Sequence, residues 1–432
     1  MSNLSPARSG FRWANVIGAD RQVVRALEQL GRQSPVPLRV RLWQGEEVML
    51  DTQPAVTLHV HSPHAALRLI RPSLASLGEA YVEGLVDLDG KVDDAIAIAS
   101  RLTESSPAPT KANRHRSWLT RHSRRSDQRA IAYHYDVANE FYARFLDPRM
   151  VYSCAYYRTG NEDLATAQLQ KLDHVCRKLR LEPGLRLLDI GCGWGALVIH
   201  AAKMYGVEAV GITLSREQFE LAGKRVREAG LDHQVEIRLQ DYRDISEASG
   251  FDRIASIGMF EHVGLAKLGD YFHRLAALLK PGGIAMNHGI TAANTDNRWV
   301  GMGGGEFIDR YVFPDGELPH VSFAIKALAD AGLELADAES LRRHYALTLR
   351  AWSKAFEEQF DTLRGLAGEK RARIWRVYLA GCAWAFAHGW VNLYQLLAVK
   401  PQAGPSGLDS PLPLSRDYMY LGEWPPERSP GR

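Results

Sequence analysis

Long apolar runs, clustered cysteines and a strong net charge are all missing from this 432-residue chain. No stretch approaches the roughly 18 uninterrupted apolar residues of a membrane span, so we expect contact with lipid only at the membrane surface. The four cysteines lie far apart, which argues against a disulfide framework or a metal site and favours a cytoplasmic protein. Residues 1–11 lack the pattern of a signal peptide, in line with that expectation.

The composition is that of a globular protein, with 46% apolar residues and room for two or three domains. Residues 1–104 mix alternating and helical patterns and are predicted to form a small mixed α/β domain, with strands at 38–43 and 56–61 and helices at 73–85 and 92–102. A lipid-docking role and a purely structural role both remain open for it. Residues 130–400 are predicted to form the main domain, and residues 401–432 a tail rich in proline and glycine.

Residues 105–129 are predicted to be a basic linker between the two domains. The net charge of the whole chain is only +3, so attraction to an anionic surface depends on local clusters such as this one. The linker is either a solvated connection or a contact with anionic lipid headgroups, where each cation contributes about 1 kcal/mol. Nucleic acid is not expected as a partner because no base-reading motif accompanies the charge.

The main domain is organised around an apolar strand that ends in a glycine-rich turn, Leu187-Leu188-Asp189-Ile190-Gly191-Cys192-Gly193-Trp194-Gly195. Alternate glycines let the backbone turn sharply and approach a ligand, and the next residues open a helix whose amides face it. The spacing differs from that of dinucleotide-binding sites. It resembles the first motif of S-adenosylmethionine-dependent methyltransferases.

Strands and helices alternate after this turn, which predicts a doubly wound α/β sheet with its ligands at the carboxyl ends of the strands. Lys280-Pro281-Gly282-Gly283 is a strong helix stop before the fifth strand. Residues 291–320 form a glycine-rich and aromatic insertion, which is either a lid over the substrate or a structural cap. The predicted strands are 185–190, 209–213, 235–239, 252–257, 284–288 and 391–399, and the predicted helices include 216–228, 268–279, 344–360 and 370–386.

Six motifs, taken in their order, resemble the cyclopropane-fatty-acid synthase family, which includes the mycolic acid cyclopropane synthases. The resemblance covers the chain from about Tyr133 to Lys400. It implies a Rossmann-like class I methyltransferase fold. Besides the glycine turn, the motifs are Tyr133-His134-Tyr135-Asp136, Val151-Tyr152-Ser153-Cys154-Ala155-Tyr156-Tyr157, Gly211-Ile212-Thr213-Leu214-Ser215 followed by Gln218, Gly258-Met259-Phe260-Glu261-His262-Val263-Gly264, and His344-Tyr345-Ala346-Leu347-Thr348-Leu349.

The resemblance implies S-adenosylmethionine as cofactor and assigns residues to it. Most methyltransferases end their second strand in an acidic residue, whereas this strand ends in a threonine-leucine pair with a glutamine downstream, as in the family. The implied cofactor residues are Tyr152, Ser153, Asp189, Gly191, Gly193, Thr213, Leu214 and Gln218, with Asp241, Tyr242 and Ile257 around the adenine. Taken alone, Leu214 and Ile257 could equally be ordinary core residues.

The family's chemistry implies a second small ligand. An alkene is a weak nucleophile that must be aligned with the methyl donor in a dry pocket, and its attack leaves a carbocation. Aromatic faces can stabilise the cation, and ring closure then needs a base. In the family that base is a bound bicarbonate ion, and the resemblance implies as its holders Cys154, Glu261, His288, Ile290 and Tyr345, with Cys154 and Ile290 acting through backbone amides.

Glu261 beside an anion requires an explanation because like charges repel. Either Glu261 is protonated, or it acts through His262, His288 or the proton of bicarbonate itself. The sequence leaves these possibilities open. Taken singly, Cys154, His288 and Tyr345 would each be read as ordinary buried residues.

We therefore expect an enzyme that converts cis double bonds of unsaturated phospholipid acyl chains to cyclopropanes at the inner face of the membrane. The resemblance is also compatible with a homodimer. Residues 287–291 and 301–306 differ from the phospholipid enzymes, so a fatty-acyl C-methyltransferase with a methyl- or methylene-branched product is the first alternative. An inactive, lipid-binding methyltransferase fold is the second. A small-molecule methyltransferase is a weaker third, because it would not need the bicarbonate holders.

Overall fold

The computed structural model describes residues 19–70, 72–104, 139–246, 250–295, 304–313, 317–402 and 410–420. The chain divides into two compact units, Met1–Pro109 and Thr110–Arg432. The predicted basic linker and the motif at residues 133–136 lie outside the described residues. Within the described ranges, no helix is long and apolar enough to span a bilayer.

The first unit contains a four-stranded sheet in the order β2-β1-β3-β4, in which β1 and β3 are parallel and the other pairs are antiparallel. Both predicted strands and both predicted helices are present with shorter or shifted ends. The sequence analysis did not predict α1, β2, α2 or β4. The elements are α1 (Ala19–Gln33), β1 (Leu38–Arg41), β2 (Glu47–Met49), β3 (Val56–Val60), α2 (Pro63–Ile70), α3 (Leu74–Val82), β4 (Val86–Asp89) and α4 (Val92–Glu104).

The second unit is built on a seven-stranded sheet in the order β10-β11-β9-β8-β5-β6-β7. Strands β9, β8, β5, β6 and β7 are parallel, while β11 is antiparallel to both of its neighbours. This confirms the predicted α/β class. The strands are β5 (Arg186–Ile190), β6 (Glu208–Thr213), β7 (Val235–Leu239), β8 (Phe251–Ile257), β9 (Leu279–Ala292), β10 (Glu334–Ser340) and β11 (Val391–Val399).

Helices cover both faces of this sheet, so its central strands are buried on both sides and read as continuous apolar runs. Successive residues of β5 point to opposite faces: Leu187 belongs to one core cluster and Leu188 to the other. The helices are α5 (Asn139–Ala143), α6 (Leu164–Lys178), α7 (Ala196–Tyr205), α8 (Arg216–Glu228), α9 (Leu268–Leu278), α10 (Gly304–Tyr311), α11 (Val321–Asp330), α12 (Arg342–Glu358), α13 (Phe360–Ala367), α14 (Glu369–Ala387) and α15 (Asp417–Tyr420).

The sheet order creates a crevice beside β5. From β5 the chain moves outward to β6 and β7 on one side, and then returns to place β8 and β9 on the other. Ligands of doubly wound sheets bind at such a reversal, beyond the carboxyl ends of the strands. The loop after β5 and the residues that follow β6 and β8 therefore face the expected binding region.

Strand β9 is much longer than the predicted 284–288. It begins at Leu279, directly after α9, and runs to Ala292. Its register with β8 shifts between the pairs Phe251↔Leu279 and Arg253↔Ile284, which accommodates the predicted Lys-Pro-Gly-Gly helix stop at the start of the strand. The insertion after β9 contains one short described helix, α10, and α11 and β10 follow without having been predicted.

Candidate active site

A cavity of about 460 Å³ lies at the carboxyl ends of β5, β6 and β8. The loops after β5, β6, β7 and β8, the loop of residues 150–153 and one face of α6 contribute to its walls. All eleven residues that the resemblance assigned to the cofactor are among those that line it, namely Tyr152, Ser153, Asp189, Gly191, Gly193, Thr213, Leu214, Gln218, Asp241, Tyr242 and Ile257.

The glycine turn wraps one side of this cavity. Gly191, Gly193 and Gly195 have φ angles of 82°, 54° and 81°, in the left-handed region where a side chain would be strained. The amides of Gly191 and Cys192 donate to the carbonyl of Ile212 at 3.0 and 2.9 Å, which fixes the turn against β6. The turn delivers the chain into α7, whose first amides are available to a ligand.

The end of β6 carries a hydroxyl–amide pair where many related folds carry a carboxylate. The Thr213 hydroxyl donates to Oε1 of Gln218 at 2.8 Å and accepts from the Ser215 amide at 3.1 Å. Ser215 in turn caps α8 through the Gln218 amide at 3.3 Å. This end of the cavity is therefore neutral and preorganised.

Asp241 and Tyr242 follow β7 and form the far wall. The Asp241 carboxylate accepts from the Arg243 amide at 2.9 Å and pairs with the Arg243 guanidinium at 2.6 Å. Tyr242 packs edge-on against Tyr271, with 5.7 Å between ring centroids. The carboxylate of Asp241 is thus held in place by its own neighbour as it faces the cavity.

Helix α6 supports the remaining wall, the loop of residues 151–153. Nε2 of Gln168 donates to the carbonyls of Val151 and Ser153 at 3.3 and 2.8 Å. One turn later, Nζ of Lys171 donates to Oγ of Ser153 at 3.0 Å. Lys171 also lines the cavity.

Lys171 was missed by the sequence analysis. No helix was predicted at residues 164–178, although Gln168 and Lys171 share an apolar face with Leu172 and Val175 at helical spacing. Two polar side chains within such a face are the signal that could have revealed the residue.

Two buried charges of opposite sign therefore meet the cavity. Burial raises the pKa of Asp189 to about 7, although the positive charge of Lys171 opposes the shift. Burial likewise lowers the pKa of Lys171 to about 8, against the attraction of Asp189. Among the described residues, Oδ1 of Asp189 has no hydrogen-bond partner.

The residues assigned to bicarbonate form a second group, in which Glu261 lies in the turn after β8 and His288 and Ile290 lie within β9. Oε1 of Glu261 accepts the Ile290 amide at 2.7 Å, and burial raises the pKa of this carboxyl to about 7. The Ile290 amide was expected to contact bicarbonate directly; in this structure it is bound to Glu261 instead. Oε2 of Glu261 is buried and has no partner among the described residues.

His288 lies two residues before Ile290 on β9, with 1% of its surface exposed. Its Nδ1 faces Nε2 of Gln395 on β11 at 3.1 Å. Burial holds the pKa of His288 well below its ordinary value, and the positive charges of Lys171 and Lys178 add to the shift. The imidazole is therefore neutral, and with Nδ1 accepting from Gln395, its proton lies on Nε2.

Leu341, just before α12, connects Cys154 with Tyr345. Its carbonyl accepts from the Cys154 thiol at 3.8 Å and from the Tyr345 amide at 3.0 Å. The Leu341 amide donates to Leu393 of β11, which pairs with Ile290 of β9. Burial raises the pKa of Cys154 far above its usual range, so the side chain is a neutral thiol. None of the five predicted bicarbonate residues is among the described residues that line the cofactor cavity.

Comparison with known proteins adds to this geometry. A family model described as mycolic acid cyclopropane synthetase matches residues 122–396, more than half of the chain. A second model, described as a domain of unknown function, matches residues 27–111. The chain belongs to the cyclopropane synthase family of S-adenosylmethionine-dependent methyltransferases.

Relatives in this family cover most of the chain. A probable fatty acid methyltransferase of Pseudomonas putida is 48% identical over 89% of this chain and 96% of its own length. The cyclopropane-fatty-acyl-phospholipid synthase of Escherichia coli K12 is 36% identical over 79% and 87%. The crystal structure of mycolic acid cyclopropane synthase CmaA1, complexed with SAH and CTAB, is 32% identical, with a TM-score of 0.60 over 63% of this chain and 98% of that one.

Membership of the cyclopropane synthase family gives the cavity its ligand class. The left-handed glycine turn allows close approach of a ligand, the Thr213–Gln218 pair offers hydroxyl and amide groups, and Tyr242 offers an aromatic face. These features fit S-adenosylmethionine, which when bound supplies an electrophilic methyl group. The eleven lining residues assigned to it would hold and orient it.

Aromatic rings of this synthase-family domain extend from the cofactor cavity toward the second group. Tyr152 packs against Tyr142 and Trp352, with centroids 5.7 and 5.2 Å apart. Trp352 meets Tyr345 edge-on at 6.0 Å. The two groups of predicted residues are thus joined by a wall of aromatic faces.

The insertion after β9 contributes to the same region. Phe313 lies 5.6 Å from the ring of His262, which lines the cavity, and 6.0 Å from the ring of Tyr378. The segment beside α10 is therefore in contact with the cavity wall, as a lid would be.

Proposed function

We propose that this enzyme converts cis double bonds of unsaturated fatty-acyl chains to cyclopropane rings. The observation that carries the proposal is the pair Glu261 and His288. Glu261 lies in the turn after β8 and His288 lies on the neighbouring strand β9, and each has a buried polar atom with no partner among the described residues, Oε2 and Nε2. Buried polar atoms without partners are costly, so such a pair indicates a small polar ligand.

The reaction begins with an alkene, which needs a dry and oriented site. The π electrons form the bond to the transferred methyl carbon, the sulfur–methyl bond breaks, and a positive charge remains on the acyl chain. Faces of Tyr152, Trp352 and Tyr345 are suited to stabilise that charge. Loss of a proton from the added methyl group then closes the ring.

Bicarbonate fits the group around Glu261 as the proton acceptor. With its pKa raised to about 7, Glu261 can carry a proton on Oε2, because Oε1 already accepts the Ile290 amide. His288 offers a second N–H from Nε2. Two neutral donors suit an anion, and protonation of Glu261 removes the repulsion expected between two negative charges. Bicarbonate bound there would supply the base.

A branched product is the second candidate. The relative at 48% identity is named a probable fatty acid methyltransferase, which favours this alternative. The same carbocation would lose a proton from the acyl chain and leave a methyl-branched alkene. A hydride shift to the cationic carbon, followed by loss of a proton from the added methyl group, would instead leave a methylene branch. The difference lies in which proton faces the base, so both candidates use the same residues.

The test incubates the purified protein with S-adenosylmethionine labelled at the methyl carbon and vesicles of a monounsaturated phospholipid. NMR of the acyl product should give cyclopropane ring protons at unusually high field. A labelled methyl or vinylidene signal would assign the branched class instead. Absence of label transfer to phospholipid or to free unsaturated fatty acid would contradict both candidates.

We also propose that the enzyme reaches its lipid from the membrane surface through the basic linker at residues 105–129. The support is the run of cations in the sequence. Replacing Arg121, Arg124 and Arg125 with serine should weaken binding to anionic vesicles at low salt and reduce its salt dependence. Unchanged binding would remove this proposal.

A further inference from the structure

Lys171 is a buried cation in the wall of the cofactor cavity. Only 2% of its surface is exposed, and its Nζ donates to Oγ of Ser153 at 3.0 Å. A lysine ammonium has three donor protons, and among the described residues Ser153 is its one hydrogen-bond partner. A buried charge with unused donors is costly unless a ligand accepts hydrogen bonds from those donors.

Support of the loop does not account for this lysine. Gln168, one turn earlier on α6, already holds the loop through the carbonyls of Val151 and Ser153. Gln168 is not among the residues that line the cavity, whereas Lys171 and Ser153 are. An uncharged side chain would hold the loop without the cost of burying a charge.

Other cations that line the cavity are engaged elsewhere. Arg243 pairs with Asp241 at 2.6 Å, and Arg274 donates to the carbonyls of Tyr242 and Ile245. Lys267 is largely exposed and pairs with Asp270 at 3.3 Å. Of the described cavity residues, Lys171 is the fully buried cation with donors to spare.

Asp189 supplies the opposite charge. It ends β5 beside the glycine turn, is 3% exposed, and its Oδ1 has no partner among the described residues. Lys171 and Asp189 influence each other's ionisation without forming a direct ion pair in this structure. The cavity thus presents a separated cation and anion, which is the pattern that a zwitterion requires.

We propose that Lys171 binds the carboxylate of the amino-acid part of S-adenosylmethionine, together with the Ser153 hydroxyl, while Asp189 faces the ammonium group. The cofactor carries one such zwitterionic head, and its nucleoside part offers no second carboxylate. Lys171 is then a cofactor-binding residue that orients the methyl donor and takes no part in the chemistry.

The test measures the affinities of two proteins, wild type and Lys171→Met, for two ligands, S-adenosylhomocysteine and its decarboxylated analogue. Titration calorimetry at pH 7 gives the four affinities, which together form a thermodynamic cycle. Wild type should bind S-adenosylhomocysteine about 10- to 100-fold more tightly than the analogue, the range expected for a charge-assisted hydrogen bond. Lys171→Met should lose most of this preference and keep its affinity for the analogue. The cycle isolates the contact between lysine and carboxylate.

Gln168→Met is the matched control, because it weakens the same loop without touching the cavity. It should preserve the preference for S-adenosylhomocysteine. Lys171→Arg keeps a cation and should recover part of the preference. A second neutral variant, Lys171→Gln, is measured in the same way. If both neutral variants lose affinity for the two ligands equally, Lys171 has a structural role and the proposal is contradicted. An undiminished preference for S-adenosylhomocysteine in either neutral variant would also contradict it.

Discussion

Glu261 is the residue on which the proposed chemistry depends most. Its two carboxyl oxygens differ: Oε1 is fixed by the Ile290 amide, and Oε2 is buried without a partner among the described residues. Burial raises the pKa to about 7, since the hydrogen bond from Ile290 only partly compensates for lost hydration. A carboxyl in this state can donate a hydrogen bond at neutral pH, which resolves the conflict with a bound anion.

Replacement of Glu261 with Leu, which removes the donated hydrogen bond, should lower kcat by about 100-fold or more, the magnitude of losing one preorganised donor. Binding of S-adenosylhomocysteine should be nearly unchanged, because Glu261 is not among the described residues of the cofactor cavity. Glu220→Gln, on the exposed face of α8, is the control and should be neutral in both assays. An unchanged kcat in Glu261→Leu would remove the role assigned to this carboxyl.

Glu261→Gln, which keeps a neutral donor, has a pH signature. Because the protonated form is the donor, kcat of wild type at saturating cofactor should fall as pH rises through about 7. Glu261→Gln cannot ionise and should lose that alkaline limb. A limb at the same pH in both proteins would point to another group.

Two further residues show what sequence reasoning could not supply. Gln395, which orients His288, is a fully buried polar residue in the mostly apolar strand Val391–Val399, and its place between Tyr394 and Leu396 was its one signal. Lys171 belongs to a helix that was not predicted. The cofactor residues could be assigned because they are contiguous in short motifs. By contrast, Gln395 contacts a residue 107 positions away, and Lys171 contacts one 18 positions away.

At the scale of elements, β9 and the turn of residues 260–262 together position the residues that we propose bind bicarbonate. Gly289 lies between His288 and Ile290, and a Cβ added there would lie 2.0 Å from Cε1 of Phe260. The missing side chain lets the Phe260 ring pack onto the strand, which brings Glu261 within reach of the Ile290 amide. Strand and turn therefore depend on each other.

Gly289→Ala should displace Phe260 and with it Glu261. We expect a loss of about 1–3 kcal/mol in the free energy of unfolding, typical of overpacking, and a larger fall in kcat than in cofactor affinity. Gly269→Ala in α9, where an added Cβ meets nothing within 4 Å, is the control and should be neutral or slightly stabilising. Wild-type stability and kcat in Gly289→Ala would contradict this account of the turn.

Strand β10 explains another limit of the sequence analysis. Its sequence, ELADAES, contains three acidic residues and was not predicted as a strand. Its charges are satisfied by distant elements, since Glu339 contacts His174 and Lys178 of α6 at 2.8 and 2.5 Å, and Asp337 pairs with Arg416 at 2.8 Å. Apolar strands β5, β6 and β8 could be predicted because their burial is visible in local pattern.

Glu339→Gln should destabilise the protein by at most about 3 kcal/mol, because it weakens the pairing of the fully buried Lys178, which keeps Asp337 as a partner at 3.3 Å. Glu334→Gln, exposed at the start of the same strand, is the control and should be neutral. Chemical denaturation at pH 7 measures both.

Burial opposes ionisation of Glu339, but the His174 hydrogen bond and the charge of Lys178 prevail and lower its pKa to about 2. Its stabilising contribution is therefore complete above the ordinary glutamate pKa and is lost as pH falls toward 2. The stability difference between wild type and Glu339→Gln should shrink over that interval. A difference independent of pH would contradict the ion-pair explanation.

At the scale of the molecule, the second unit combines a cofactor cavity at the reversal of the sheet with buried donor atoms of Glu261, after β8, and His288, within β9. Aromatic rings connect the two. The sheet, the cofactor loop and the family were predictable, because parallel buried strands and glycine turns leave strong local signals. The partner of the Ile290 amide was not, since it depends on how a turn packs across a strand. The first unit has its own four-stranded sheet, and its role stays a prediction.

The central claim is that the acyl cation loses a proton from the added methyl group. Trideuteromethyl S-adenosylmethionine tests this directly, with mass spectrometry of the fatty acids released from a monounsaturated phospholipid. Our account predicts a product that keeps two of the three deuterium atoms and gives the high-field ring signals of a cyclopropane by NMR. A product that keeps all three deuterium atoms would contradict ring closure and assign the enzyme to methyl branching.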